Sequence, residues 1–536
     1  MKSSINIIIA FCFLQTLSFA QNGTVDSDFG VEGELHLDID ALDELEGLLT
    51  DPDGNTYFYG HSSEDLDGIY PFDIIIGKID PNGQLDLTFG EDGLFRDDFP
   101  GYSISSLTHA VWDTSGIYFL GHGRNNGELN ENGFFIGKIN LDGDLDLSFG
   151  EDGFYTSDFM GTYNTAGSLI MDSNAKVVFC GATTNDVATG LEYPMVGRLN
   201  QNGVPDSTFG TTGVVVWDYF EEVVVDLMDL PLYFDRHGEG GYFTEIIEVN
   251  DSYFCSGYFQ NSAHTQMYIA KLSNSGSFSS DFVAPMPYPY QVETGVNHFT
   301  EDLDFFEDHI YLSFRVYGFE YGTSFTIQKL DTTGEVLNTY AIEYEGNYSY
   351  IKGLEFYEGN PYVTGYTVDI DNVAPGHASD DFMLYSLNQN FNPHKPFGTN
   401  GFVKYHFPFD DEQGAEDLIY SNNRFVVGGY VNNVHSGNYT DLAFLGVKVD
   451  PTNGIEKEEK ESLILYPNPT QNTFQVKGNG QINFDYEIYN LSGKKLAEGS
   501  CTSIHQTINV SSLKQGYYTL RVTSSENSFE LSFIKE

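Results

Sequence analysis

Apolar and polar positions alternate along this chain in short runs rich in β-branched and aromatic residues, each closed by a turn containing glycine, asparagine or aspartate. One copy reads Leu48-Leu49-Thr50, then the turn Asp51-Pro52-Asp53-Gly54-Asn55, then Thr56-Tyr57-Phe58-Tyr59-Gly60. A period of two over such lengths predicts strands, and no stretch holds a 3.6-residue period long enough to predict a helix. Related strands end at Gly121, Gly181, Gly257, Gly365 and Gly429, with a divergent copy at Asp308 to Phe314. A second element, Gly77-Lys78-Ile79 followed by an Asn-Gly or Asp-Gly turn, recurs near Lys138, Arg198, Lys271, Lys329, Ser386 and Lys448. Each element occurs seven times. The clearest copies are sixty residues apart, which leaves room for about four strands per unit. Four-stranded units repeated around an axis predict an all-β, seven-bladed β-propeller.

In three copies the turn leads into a tail, Asp-x-x-Phe-Gly-x-x-Gly: Asp86 to Gly93, Asp146 to Gly153 and Asp206 to Gly213. Each part has a physical role. Phe89, Phe149 and Phe209 supply large apolar area for packing between units, the glycines allow positive φ, and the aspartate can accept backbone N–H groups. Phe29 lies sixty residues before Phe89 in an orphan tail, Asp26 to Gly33, with no strand ahead of it. At the far end Phe444 to Asp450 runs towards Asn453-Gly454 and lacks a tail. The two halves are expected to share one blade, so that the N-terminal strand closes the ring and leaves no frayed edge. The repeat resembles the uncharacterised delta-60 family of secreted propeller-like bacterial proteins, well at residues 26–33, 78–93, 138–153 and 198–213, partly at Phe397 to Gly401. That resemblance implies the fold and an extracellular setting and brings no activity with it.

Charge divides the chain. Residues 21–455 hold 15 Lys or Arg against 69 Asp or Glu, whereas residues 462–536 hold six of each. Glu456-Lys457-Glu458-Glu459-Lys460-Glu461 is the expected linker. Beyond it, alternating strands with Pro, Asn and Gly turns predict a small C-terminal β-sandwich. Its motifs are Tyr466-Pro467-Asn468-Pro469, Tyr489-Asn490 through Gly493-Lys494, Gly516-Tyr517-Tyr518 and a terminal Phe533-Ile534-Lys535. In this order they resemble the type A C-terminal sorting domain of the type IX secretion system. The resemblance implies that the type IX machinery is a partner, and that this domain is removed after export, with the ring left at the surface or released.

The first twenty residues, with Lys2, an apolar stretch from Ile5 to Phe13 and Ser18-Phe19-Ala20, read as a secretory signal cleaved between Ala20 and Gln21. No other stretch is long and apolar enough to span a bilayer. Cys180, Cys255 and Cys501 would remain, too few for a disulfide framework, and the first two sit in apolar strands as expected of buried thiols. A formal charge of −55 would repel phosphate backbones and excludes nucleic acid. The domain reading is therefore a signal at 1–20, a propeller at 21–455, the linker at 456–461 and the sorting domain at 462–536, in a monomer.

The sequence offers no HExxH, GxSxG or P-loop, so no catalytic, cofactor or metal residue is assigned. Asp51-x-Asp53-Gly54, Asp80-x-Asn82-Gly83 and Asn140-x-Asp142-Gly143 have the start of a calcium loop without its twelfth-position glutamate. They read as hairpin turns, with calcium left open at sites of another kind. His61 and His122 follow equivalent glycines and read as strand-end structure. Between Arg198 and Lys271 the spacing is thirteen over the period. Insertions in repeat proteins tend to form loops on the binding face, so Trp217, Tyr219, Tyr233 and Asp235 are the expected ligand contacts. The expected function is a secreted or cell-surface binding platform, not an enzyme, for a glycan, peptide or envelope ligand. The alternative is a hydrolase or lyase acting on polysaccharide through carboxylates near the axis.

Overall fold

The computed structural model describes residues 22–535 except 65–71, 98–103, 125–131, 158–162, 185–191, 218–239, 261–264, 286–295, 319–321, 343–347, 370–378, 408–412, 434–438, 450–463, 467–469, 471, 478–483, 491–493, 502–506, 515 and 524–527. The chain divides into two compact units, Met1–Asp450 and Pro451–Glu536. Every regular element among the described residues is a strand, so no helix there could cross a membrane.

The larger unit is propeller-like. Among the described residues its twenty-eight strands form antiparallel groups of four. Groups one to six span residues 42–97, 104–156, 163–216, 240–285, 296–342 and 348–405. Group seven joins Gln413–Ser421, Arg424–Asn433 and Tyr439–Lys448 to the N-terminal Glu34–Leu37, which pairs in register from Glu34 opposite Leu445 to Leu37 opposite Leu442. The first strands of groups one to six are Leu42–Thr50, Ile104–Asp113, Tyr163–Met171, Gly240–Val249, Val296–Phe306 and Tyr348–Tyr357. Each packs beside the first strand of the next group, and Gln413–Ser421 of group seven packs beside Leu42–Thr50 of group one. Burial follows the alternation of the sequence. Ile74, Ile75, Ile76, Phe119, Phe135, Phe179 and Phe254 are fully enclosed between neighbouring groups.

The repeated tail is a clasp between groups. Asp86 accepts Thr88 N–H and pairs with Lys78 at 3.2 Å; Asp146 pairs with Lys138 at 2.8 Å and Asp206 with Arg198 at 3.1 Å. Phe29, Phe89, Phe149, Phe209 and Phe397 are all buried. The glycine after each phenylalanine donates its N–H to the turn of the following group: Gly30 to Asn82 O, Gly90 to Asp142 O, Gly150 to Asn202 O and Gly210 to Ser275 O. Gly83 must be glycine, because its φ is +77° and an added Cβ would lie 2.4 Å from the Gly30 nitrogen. Group six has Phe391 at that place, with φ +58° and 2 % exposure. Group five lacks a Phe-Gly tail, and the Phe391 ring fills the gap between Tyr311 and Tyr340.

One expectation is corrected here. Asn453-Gly454, expected to turn the last blade towards its missing tail, lies outside the described residues, and the turn position of group seven is filled by Asn22-Gly23. Gly398 donates to Asn22 O at 3.0 Å, and Gly23 has the same φ of +77° as Gly83. Turn and tail thus form one clasp, with both parts supplied by residues 22–33. Asp26 then pairs with Arg424 at 2.6 Å and Lys448 at 3.2 Å. Burial pushes its carboxyl up, but the Asp28 N–H and the Arg424 charge outweigh this and hold it below the usual range.

The smaller unit has a three-stranded sheet, Ile464–Tyr466 with Thr473–Lys477 and Thr507–Asn509, and a four-stranded one. The latter orders Lys495–Cys501, Phe484–Asn490, Gly516–Thr523 and Ser528–Lys535. Ile488, Ile508, Val510, Leu520 and Val522 form its buried apolar set.

Candidate functional site

Every first strand of the larger unit breaks register with its second strand at one equivalent place. The breaks fall between Leu45 and Gly47, Leu107 and His109, Ala166 and Leu169, Phe243 and Glu245, Thr300 and Asp302, Ile351 and Gly353, and Ala415 and Asp417. A bulge leaves its extra residue unpaired and re-aims that side chain. The extra residues are Glu46, Thr108, Gly167, Thr244, Glu301, Lys352 and Glu416, all on first strands that pack side by side.

The bulge explains the glycine repeated within six of the seven second strands. Gly60, Gly121, Gly181, Gly257, Gly365 and Gly429 stand opposite the residue that precedes the break. A Cβ on Gly365 would lie 1.8 Å from the Tyr350 carbonyl oxygen, and one on Gly60 2.0 Å from that of Glu44. Phe314 holds this position in group five, where the bulge is retained, and nothing in the strand geometry explains the exception. Gly365→Ala should cost about 1–3 kcal/mol through displaced backbone. Denaturant unfolding reads this directly, and an unchanged midpoint would show that the bulge relaxes freely.

The residue just after the bulge ties one group to the next. Ser168 Oγ accepts Ile246 N–H at 3.0 Å, Asp302 accepts Leu354 N–H at 3.2 Å, and Asp417 accepts Leu48 N–H at 2.8 Å. The last of these links group seven to group one. Burial pushes the Asp417 carboxyl up to about 7 and that of Asp302 well above its ordinary value. Glu245 is pushed by burial to about 8, with Ser168 opposing and Asp417 adding to the rise, and Glu355 also reaches about 8 through burial beside Asp304 and Asp417. A carboxyl raised in the folded state takes up a proton on folding. Its full stabilisation is present below the unfolded value near 4.5 and is lost as pH rises through about 8. Glu245→Gln should therefore flatten the fall in stability between pH 5 and pH 8 and raise stability at pH 8 by about 1–3 kcal/mol. Parallel pH profiles for the two proteins would contradict this.

Two positions before the bulge, a rim forms from Glu44, Ser106, Thr165, Tyr242, Phe299, Tyr350 and Gly414. Opposite them on the second strands stand His61, His122, Ala182, Tyr258, Arg315, Tyr366 and Tyr430. The rim residues of groups four to six join into a continuous aromatic belt. Tyr242 packs on Tyr258 at 4.2 Å, Tyr258 on Phe299 at 5.6 Å, and Tyr350 on Tyr366 at 4.8 Å. The Arg315 guanidinium bridges the belt, 5.2 Å from the Phe299 ring centre and 5.8 Å from that of Tyr350. Tyr242, Phe299 and Tyr350 are half-buried.

Beside this belt lie charges. Lys352 pairs with Glu416 at 3.0 Å. Burial pulls the lysine down, but Glu416 and Glu301 outweigh it and hold it above its usual range. Arg315 Nε stands 3.0 Å from Glu301 Oε1, yet their alignment is too poor for a hydrogen bond, and both atoms are without one. In group one, His61 Nε2 meets Glu44 at 3.0 Å, and Nδ1 lies 3.6 Å from Glu46. The His61 hydrogen bond holds Glu44 below the usual range against the opposing effect of burial. Burial raises Glu46 to about 7, with Glu416 and Glu44 adding to the rise. Glu46 nevertheless keeps 36 % of its side chain exposed. Water therefore reaches this carboxyl although neighbouring groups crowd it.

Little of this was located from sequence. Trp217, expected to offer an aromatic face to ligand, is a core residue with 6 % exposure. It stacks on Phe243 at 5.8 Å and Phe278 at 5.2 Å, and packs against Phe259 and Tyr268. The spacing anomaly begins directly after it, but its ring is consumed by contacts with group four. Tyr219, Tyr233 and Asp235 lie outside the described residues, as do Ala20 and Gln21. The aspartate-rich turns use their first side-chain oxygen internally: Asp51 accepts the N–H groups of Asp53 and Asn55, and Asp80 those of Asn82 and Gln84. Cys180 and Cys255 are free and buried, and burial pushes the Cys180 thiol up to about 12. The bulged residues had a legible signal, since each lies thirteen or fourteen places before the repeated glycine of its second strand, or before Phe314 in group five.

In the smaller unit Tyr466 pairs with Gln475 on the neighbouring strand, and Gly516 and Tyr517 stand opposite Lys535 and Ile534. Lys494 N–H donates to Asn490 Oδ1 at 3.0 Å, closing the turn of that motif. Pro467, Asn468, Pro469 and Gly493 lie outside the described residues. Residues 464–536 match the family described as the secretion system C-terminal sorting domain. This segment is a type IX sorting domain. The protein is accordingly secreted, in a class often anchored at the cell surface. No curated protein matches the chain. Among solved structures it is similar to a protein of unknown function from Dyadobacter fermentans, at 11 % identity and TM-score 0.38 over 78 % of this chain and 98 % of that one. It is also similar to a mutant Trypanosoma rangeli sialidase, at 9 % identity and TM-score 0.38 over 96 % and 86 %. A third is an α-L-arabinofuranosidase mutant from Fusarium graminearum, at 9 % identity and TM-score 0.36 over 63 % and 92 %.

Proposed function

We propose that this protein is a secreted binding platform: a seven-bladed propeller, closed by its N-terminal clasp, whose axial mouth holds a hydroxyl-rich ligand of the carbohydrate class. The reading takes residues 1–20 as the signal, 21–455 as the ring of delta-60-like repeats, 456–461 as the linker and 462–536 as the sorting domain. Each four-stranded group is one blade, and the pairing of Glu34–Leu37 with Tyr439–Lys448 supports closure. The observation that carries the ligand assignment is the aromatic belt of Tyr242, Phe299 and Tyr350 at the strand position that holds Glu44 in group one, with Glu46 and Glu416 at the bulges of groups one and seven. Half-buried rings stack on the apolar faces of sugars while carboxylates and Arg315 accept and donate at hydroxyls.

A glycan array probed with the mature chain tests this. Tyr350→Ala should weaken a saccharide found on the array by about 1–3 kcal/mol with little loss of stability. Unaltered affinity would remove the mouth from consideration. A second reading is favoured by one observation, the divergence of Glu44, held low, from Glu46, raised to about 7. Carboxyls driven apart in this way suit a general acid and its ionised partner in glycoside cleavage. Release of reducing ends that Glu46→Gln abolishes would select the enzyme.

A further inference from the structure

The Glu44, Glu46 and His61 side chains each offer a ligand atom within 4.8 Å of the others. Acidic side chains gather in many places on so acidic a protein, and the histidine sets this cluster apart. The His61 side chain is 8 % exposed, and its Nδ1 has no hydrogen-bond partner. An ionised glutamate only accepts, so the 3.0 Å contact with Glu44 places the ring proton on Nε2. In the neutral ring this leaves a lone pair on Nδ1, 3.6 Å from Glu46 Oε1. That distance is too long for a hydrogen bond. Two ligands each about 2.1 Å from one cation stand at nearly that separation. A histidine that donates from one ring nitrogen to a carboxylate while presenting the other is also the arrangement that orients imidazole towards a metal.

We propose that His61 Nδ1 and the Glu46 carboxylate bind a divalent first-row cation such as Zn²⁺ at the axial mouth, with Glu44 as the residue that positions the imidazole. A donor set of one imidazole and one carboxylate suits zinc or manganese better than magnesium or calcium, which take all-oxygen shells. Two protein ligands leave coordination positions open to water. The cation would sit in group one, apart from the aromatic belt of groups four to six. This site shares Glu46 with the carbohydrate reading, but it needs no sugar to be tested.

The test is calorimetric titration of chelator-treated mature chain with zinc alone, in the presence of millimolar calcium to saturate diffuse acidic binding. One zinc per chain is expected to bind above that background. His61→Ala and Glu46→Gln should abolish this phase, and Glu44→Gln should weaken it by about 10- to 100-fold. Cobalt substitution should give d–d absorption bands that shift in the His61 variant. If His61→Ala fails to fold, Glu46→Gln decides, because that carboxyl is exposed to water and its isostere keeps the shape. Zinc uptake that is equal in wild type and Glu46→Gln, or fully suppressed by calcium, would overturn the assignment.

Discussion

Phe29→Ala is expected to destabilise the larger unit by about 3–5 kcal/mol, the cost of emptying a buried aromatic site. Phe29 is 1 % exposed and packs with Leu45, Leu48 and Phe58 of group one and with Val426, Leu442 and Phe444 of group seven. It thus fills the seam between the first and last groups, and the Arg424 guanidinium lies 5.6 Å from its ring centre. Phe89 fills the equivalent seam between groups one and two, also at 1 % exposure, with no chain end nearby. An N-terminal segment that is a full member of the fold makes Phe29→Ala as costly as Phe89→Ala. Denaturant unfolding of the two variants measures this. A frayed end would leave Phe29→Ala within about 0.5 kcal/mol of wild type, as for a surface substitution, while Phe89→Ala still lost its full value.

A chain that stops at Ile455 should fold its larger unit and yet fail to leave the cell. The 464–536 segment matches a sorting family, and its buried core of Ile488, Leu520 and Val522 belongs to its own sheets. Its loss removes an address and none of the residues that hold the larger unit together. Fractionation of cells making either form should find the full chain at the surface or in the medium, and the truncated form in the periplasm. Equal export of the two would separate this domain from sorting.

The alternation of apolar and polar residues carries most of the fold, because burial between sheets imposes a period of two that composition cannot hide. The clasp was legible for the same reason: Phe89, Gly90 and Gly93 each answer a local demand for area or for positive φ. What escaped was register. A bulge at Glu46 or Glu416 changes no residue's local preference, and its consequence appears only when seven first strands lie side by side. Sequence shows Glu301 as one acid among 79 Asp and Glu, and only the pairing of Thr300 with Phe314 and Asp302 with Ser313 singles it out. Trp217 illustrates the opposite error. An aromatic residue next to an anomaly in repeat spacing read as surface, whereas Phe243 and Phe278 enclose it on two sides. Asn22-Gly23 was missed because a two-residue turn next to the expected cleavage site has no strand ahead of it to mark its role.

The most direct test of the axial mouth as the ligand site is an experimental structure of the mature protein with a saccharide selected on a glycan array. Density for the sugar should lie at the axis, against Tyr350 and Phe299 and within hydrogen-bonding reach of Glu416 or Glu46. Density confined to the 218–239 stretch or to the outer strand edges, with the mouth holding water alone, would contradict the account.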